Sequence, residues 1–204
     1  MSRLRFATLA LLLLSAGVSV TARADQPADA GARAQQRPDP AAIVAAQREA
    51  LARLAHMDGT WRGAAWTILP SGEKHTLTQT ERVGPFLGGS VRVIEGRGYE
   101  ADGSVGFNAL GIVSYDPEKR TYAFHSYAMG RAGDFVLTPT DDGYVWEIPL
   151  GPMTIRYTAV IKDGKWREVG DRIVPGKDPV RFFEMDLTRI GDTDWPEGGA
   201  VPAK

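Results

Sequence analysis

From Thr60 to Ile190 the chain alternates: apolar residues occupy every second position in short segments, and turn residues separate the segments. Val91/Val93, Phe107/Ala109/Gly111/Val113, Ile155/Tyr157/Ala159/Ile161 and Phe183/Met185/Leu187 are the clearest apolar faces. Strand side chains point to opposite faces in turn, so this period of two predicts strands with one buried face. Pro70-Ser71-Gly72, Leu87-Gly88-Gly89, Asp102-Gly103, Asp116-Pro117, Asp141-Asp142-Gly143, Asp163-Gly164 and Pro175-Gly176 supply the turns. Asp163-Gly164 predicts a tight hairpin between Met153–Lys162 and Lys165–Val174. About ten strands follow, joined without a long crossover. Such a meander closes into an all-β, up-and-down antiparallel barrel, which removes exposed strand edges. Glycines inside the strands (Gly96, Gly98, Gly106, Gly111 and Gly170) relieve crowding where barrel strands coil.

Upstream of Thr60 the period changes. Ile43, Val44, Leu51 and Leu54 form one broad apolar face over Ala41–His56, with Gln47, Arg48, Glu49 and Arg53 mostly off it, which predicts one amphipathic helix. Asp39 supplies the N-cap, Pro40 the first helical position, and Gly59 a left-handed C-cap. Residues 25–40 are rich in Ala, Gln and Pro and are expected to form a flexible tether. Met1–Ala24 has the pattern of a secretory signal peptide: Arg3 and Arg5, an apolar run centred on Leu11–Leu14, and Ala22-Arg23-Ala24 at the cleavage site. The mature chain is then expected to start at Asp25, to be periplasmic or secreted, and to have no stable membrane insertion after cleavage. The apolar run is short for a span of about 20 residues. Residues 191–204, with Gly191, Pro196, Gly198 and Gly199, are expected to be a loose tail.

Within the first strand, Gly59, Trp61 and Gly63 form a G-x-W-x-G. Trp61, Gly63, Ala65 and Thr67 share a face. One large ring followed by three small residues closes the floor of a cavity and leaves room above it.

Composition narrows the chemistry. There is no Cys in 204 residues, so disulfides and lipid-modified cysteine are excluded. Removing Arg3, Arg5 and Arg23 from the 24 basic residues leaves 21 against 25 acids, a net charge of −4. That balance does not predict a nucleic-acid partner. His56, His75 and His125 are the three histidines, with no His-x-His or His-x-x-x-His spacing, so no zinc site is expected.

A short helix followed by Gly59-Thr60-Trp61-Arg62-Gly63 at the opening of an up-and-down barrel resembles the calycins: lipocalins, fatty-acid-binding proteins and nitrobindin-like haem proteins. Leu87-Gly88-Gly89 after the second strand, Gly111-Ile112-Val113-Ser114-Tyr115-Asp116 before a turn, and Leu187-Thr188-Arg189 on the last strand extend the resemblance over Leu51–Ile190. Together they look most like an uncharacterised family of exported bacterial proteins with a lipocalin-like barrel. The resemblance implies that a basic residue of the last strand, here Arg189, packs across Trp61 and closes the barrel. Nitrobindin-like proteins carry their axial His near the C-terminus, and this chain has no His after His125, so no haem or other cofactor is expected.

Charged residues also fall inside the strands. Glu168, Gly170 and Arg172 share the face of Trp166, and Glu81 that of Leu77 and Val83. If those faces look inward, Glu81, Glu168 and Arg172 form a buried polar cluster, and a pocket with a few convergent polar groups is the default ligand site. The expected ligand-binding set is Trp61, Glu81, Phe107, His125, Tyr127, Tyr157, Trp166, Glu168 and Arg172. Three functions fit. One is an exported barrel binding a small, mainly apolar molecule. Another is an enzyme using Glu81, Glu168, Arg172 and His125 for acid–base chemistry. The third is a filled barrel serving as an interaction domain. No nucleophile motif, phosphate loop or metal-ligand spacing selects among them.

Overall fold

The computed structural model describes residues 39–196; the expected signal peptide, the expected tether up to residue 38 and residues 197–204 lie outside the described residues. Ten antiparallel strands form a closed barrel in chain order, with the last strand returning to the first. They are β1 (Gly59–Ile68), β2 (Lys74–Phe86), β3 (Val91–Tyr99), β4 (Val105–Asp116) and β5 (Thr121–Ala128). The second half is β6 (Arg131–Thr140), β7 (Gly143–Leu150), β8 (Met153–Lys162), β9 (Lys165–Ile173) and β10 (Val180–Gly191). The closing register sets Trp61 opposite Arg189, Gly63 opposite Leu187 and Ala65 opposite Met185. Gly63 is required at this seam, because a Cβ there would run into the Asp186 carbonyl. Asp163 and Gly164 both have positive φ, 52° and 70°, as the two central positions of a tight hairpin demand.

One helix, α1 (Pro40–Ala52), precedes the barrel. Asp39 caps it by accepting from the Ala41 N–H at 3.0 Å, with Pro40 in the first turn. The helix is shorter than its apolar pattern predicts. It stops at Arg53, which stays right-handed, and the chain continues through a 3₁₀ turn at Ala55–Met57. Gly59 is therefore not the helix cap. Its positive φ of 135° opens β1 instead, where Gly191 O and the Arg189 guanidinium crowd the position a Cβ would take.

The helix end plugs one mouth of the barrel. Leu51, Leu54 and Met57 are buried against Trp61, Val83, Val113, Tyr122, Leu137, Ile161, Trp166 and Leu187. The last carbonyls of a helix have no partner within it. Here the Tyr122 hydroxyl donates to Ala50 O at 2.9 Å and Arg92 Nη1 donates to Leu51 O at 2.5 Å. Arg92 also grips Asp58 with two bonds of 2.7 and 2.9 Å. This inward, buried Arg92 reverses the phase that alternation predicts for β3, with Val91 and Val93 on the apolar face. Arg92, Ile94 and Gly96 point inward because Asp58 and Leu51 O satisfy the guanidinium.

The tail is not loose as far as Pro196. Trp195 packs edge-on to Phe86 with ring centres 5.6 Å apart, and the Arg82 guanidinium lies 4.8 Å from its centre. Arg82 also pairs with Asp194.

Candidate functional site

Following the register strand by strand sorts each side chain to the lumen or the outer wall. Trp61 faces Glu81, which faces Gly96 and then Ala109. Trp146 faces Tyr157, Ala159 faces Glu168, and Ile161 faces Trp166. Trp61, Glu81, Phe107, Tyr157, Trp166, Glu168 and Arg172 therefore belong to the lumen set. His125 and Tyr127 do not. They alternate with Phe124 and Ser126, which continue the inward rows of Val113 and Gly111. His125 lies on the outer wall, its Nδ1 2.6 Å from an Asp134 carboxylate oxygen, and Tyr127 is exposed. Both leave the ligand-binding set, and His125 leaves the acid–base set.

Burial changes along the barrel. At the plugged end Trp61, Val113, Leu137, Trp166 and Leu187 are all 2 % exposed or less. Toward the other end the inward residues Leu77, Phe107, Phe135, Ile148, Ile155, Tyr157, Arg172 and Phe183 are all half-buried. The floor is sealed and the far half is reached by water.

Two carboxyl groups project into the interior, Glu81 from β2 and Glu168 from β9, with β1 and β10 between them. Glu168 is 8 % exposed; the Tyr144 hydroxyl donates to its Oε2 at 2.6 Å and Trp146 Nε1 to its Oε1 at 3.3 Å. Burial raises the Glu168 pKa against these donors. Trp166 Nε1 lies in the same neighbourhood, fully buried, and makes no hydrogen bond of normal geometry. Glu81 accepts from Gln79 Nε2 at 2.7 Å. Burial, with a smaller contribution from the charge of Glu168, pushes its pKa up to about 8. A Cβ on Gly96 would meet the Glu81 carboxyl at 2.8 Å, so glycine there makes its berth. Neither acid forms an ion pair among the described residues. Arg172, expected to join them, instead sits at the water-reached end with its guanidinium 4.7 Å from the centre of the Phe182 ring. Burial raises the Tyr144 pKa well above its ordinary value and that of Tyr157 to about 12, so both phenols stay protonated.

An aromatic wall rises beside Glu168. Trp146 and Tyr157 stack in parallel, 4.3 Å apart. Phe124 meets Trp146 edge-on at 5.1 Å, Phe135 lies 5.2 Å from it, and Phe183 lies 5.8 Å from Tyr157. Behind this wall the barrel is split. β6 and β7 pair only from Leu137 to Thr140 against Gly143 to Trp146, although both strands run on beyond. A groove of about 700 Å³ occupies the divergence, with Phe135 and Trp146 in its lining beside Asp134, Val136, Glu147 and Arg156. The seam thus reaches the aromatic wall from outside.

Arg189 lies opposite Trp61 in the register, as closure by β1 and β10 requires. The expected stacking of its guanidinium on the indole is corrected. The guanidinium donates to Asp58 O at 3.3 and 3.4 Å and to Asp192 at 2.5 Å. A register shift between Thr60 and Trp61 displaces the pair, and the Trp61 ring meets Trp166 edge-on at 5.6 Å. Trp61 Nε1 donates to Met57 O at 2.9 Å, tying the floor to the plug.

Gln79, Tyr144 and Trp146 complete the polar centre and were outside the expected set. The signal for the last two was the Tyr144/Trp146/Ile148 alternation in β7. Among the described residues no three metal-ligating side chains gather to hold an ion. Compared with known proteins, the chain matches no family model and no curated sequence.

Proposed function

We propose that this barrel binds a small, mainly apolar molecule in its lumen, with the ligand body on the Trp146–Tyr157 wall and its polar end toward Glu81 and Glu168. One observation carries the reading. Inward-facing rings stay half-exposed along half of the barrel, while those at the plugged end are buried. A barrel packed solid would bury both halves alike. A concave, aromatic-lined space with a few polar groups is what a small-molecule site requires. The calycin-like architecture and the export pattern of Met1–Ala24 extend the proposal: an exported calycin-like carrier that meets its ligand outside the cytoplasm.

The test is a titration with N-phenyl-1-naphthylamine, an apolar probe that fluoresces when desolvated. Saturable binding at one site is expected. Ala109→Trp, which sets a ring between Gly96 and Ala128 on the lumen side, should abolish it while leaving the β-sheet circular dichroism intact. Binding that survives Ala109→Trp, or no binding by the wild type, would overturn the lumen reading.

A further inference from the structure

The lumen's polar groups are unbalanced. Glu81, Glu168 and the Gln79 carbonyl are acceptors; Gln79 Nε2, Tyr144 and Trp146 donate to the two carboxyls, Trp166 Nε1 stays without a hydrogen bond, and none of these donors carries a charge. Gln79 is itself only 4 % exposed, and no described residue donates to its Oε1. The basic side chains near this interior are committed elsewhere. Arg92 is bound to Asp58 and Leu51 O beneath the floor, and Arg172 lies on Phe182 at the far end. Between Glu81 on β2 and Glu168 on β9 stand β1 and β10. On β1 they present Gly63 and Ala65, the small residues above Trp61. On β10 they present Leu187 and Met185, the latter directly beside Glu168 in the register, and the charge of Glu168 acts on Glu81 across this stretch of wall.

Buried carboxyls without a cation are costly, and structures normally pair them. The missing partner has a defined chemistry: several N–H donors, a positive charge, and an apolar body that fits against stacked rings. The Trp146 and Tyr157 faces also favour a cation by the quadrupole of each ring. We propose that the lumen selects an organic cation, an alkyl or arylalkyl ammonium whose nitrogen sits between Glu81 and Glu168 with Gln79 Oε1 as a further acceptor. This inference rests on the lumen-binding reading above.

Binding then moves a proton. In the empty barrel near neutral pH Glu81 is mostly protonated, since burial holds its pKa at about 8. The group bonded to it is Gln79, and the charges of Glu168 and of Glu95 on the outer wall raise it further; those bonded to or beside Glu168 are Tyr144, Trp146 and Trp166. An arriving ammonium favours the carboxylate, so the Glu81 O–H bond breaks, its proton passes to the buffer base, and the ligand itself is chemically unchanged.

The experiment compares three competitors with one body and three charges: 4-phenylbutylamine, 4-phenylbutanol and 4-phenylbutyrate. Each displaces N-phenyl-1-naphthylamine from the full-length mature chain. The amine should displace at a concentration lower than the alcohol by about tenfold or more, with the acid weakest. Glu81→Gln and Glu168→Gln should each remove most of that preference, read as the ratio of amine to alcohol displacement within the same variant. Calorimetry in phosphate and in Tris at neutral pH should show release of about one proton with the amine, absent in Glu81→Gln. If a Gln variant loses its circular dichroism, Glu81→Asp replaces it and should weaken the preference in part. Equal competition by amine and alcohol, or a preference that survives both Gln variants, would overturn the cation while leaving lumen binding intact. Failure of the probe itself to bind would overturn the lumen reading and this inference with it.

Discussion

Replacing Glu81 by Gln should stabilise the protein in mildly alkaline solution and leave it nearly unchanged in acid. Gln keeps the shape and the neutral character that the folded barrel prefers at this position. The carboxyl has an ordinary pKa of 4.5 and is pushed up to about 8 in the fold, chiefly by burial. The folded state therefore holds this proton more tightly than the unfolded chain does. Its contribution is fully present below pH 4.5 and is lost as pH rises through about 8. At about 1.36 kcal/mol per pH unit the whole interval caps the loss near 5 kcal/mol. Glu81 is half-buried, and lumen water screens it, so about 2 kcal/mol is the working expectation. Urea unfolding followed by tryptophan fluorescence gives the difference between variant and wild type. Near pH 5 the two should agree within about 0.5 kcal/mol, and near pH 8.5 Glu81→Gln should be the more stable by about 2 kcal/mol. A difference that does not change with pH, or a variant less stable in alkali, would refute a lumen-facing acid without a cation.

Three further outcomes follow from the geometry. Arg92→Met should cost about 3 kcal/mol, because it strands Asp58 and the Leu51 carbonyl beneath the plug; denaturant unfolding measures it, and a loss no larger than that of an exposed ion pair would contradict the plug. Trp61→Ala should cost about 3–5 kcal/mol, whereas Arg189→Ala should cost under about 1 kcal/mol, since the exposed guanidinium holds only Asp192 and a carbonyl. His125→Ala should leave probe affinity unchanged in the same titration, because His125 lies on the outer wall; a marked loss would return it to the site.

The barrel was legible because turn chemistry and a period of two are local properties, and each hairpin announces itself. The inward phases of Phe107/Ala109/Gly111/Val113 and Phe183/Met185/Leu187 follow from alternation alone, as do those of Glu81 and Glu168, which share faces with Val83 and Trp166. β5 was not legible in this way. Both of its faces carry aromatics, Tyr122/Phe124 on one and His125/Tyr127 on the other, so hydrophobicity does not say which looks inward; the register with β4 decides it. β3 misleads for another reason. Arg92 is buried by virtue of Asp58, 34 residues away, and no local pattern reports such a partner. The split between β6 and β7 is likewise a property of the closed barrel. Pairing stops after Leu137 and Trp146 although both strands continue, and strand propensity carries no trace of that. Arg189 keeps the inward phase read from Met185 and Leu187, yet at the strand end Asp58 O and Asp192 draw its guanidinium away from the indole.

A crystal structure of the mature protein with 4-phenylbutylamine tests the central claim most directly. The ligand should lie inside the barrel, its ring against Trp146 and Tyr157 and its nitrogen at charge-assisted hydrogen-bond distance, about 2.7–2.9 Å, from a carboxyl oxygen of Glu81 or Glu168. A ligand seated only in the outer groove between β6 and β7, with the lumen closed by side chains, would contradict it.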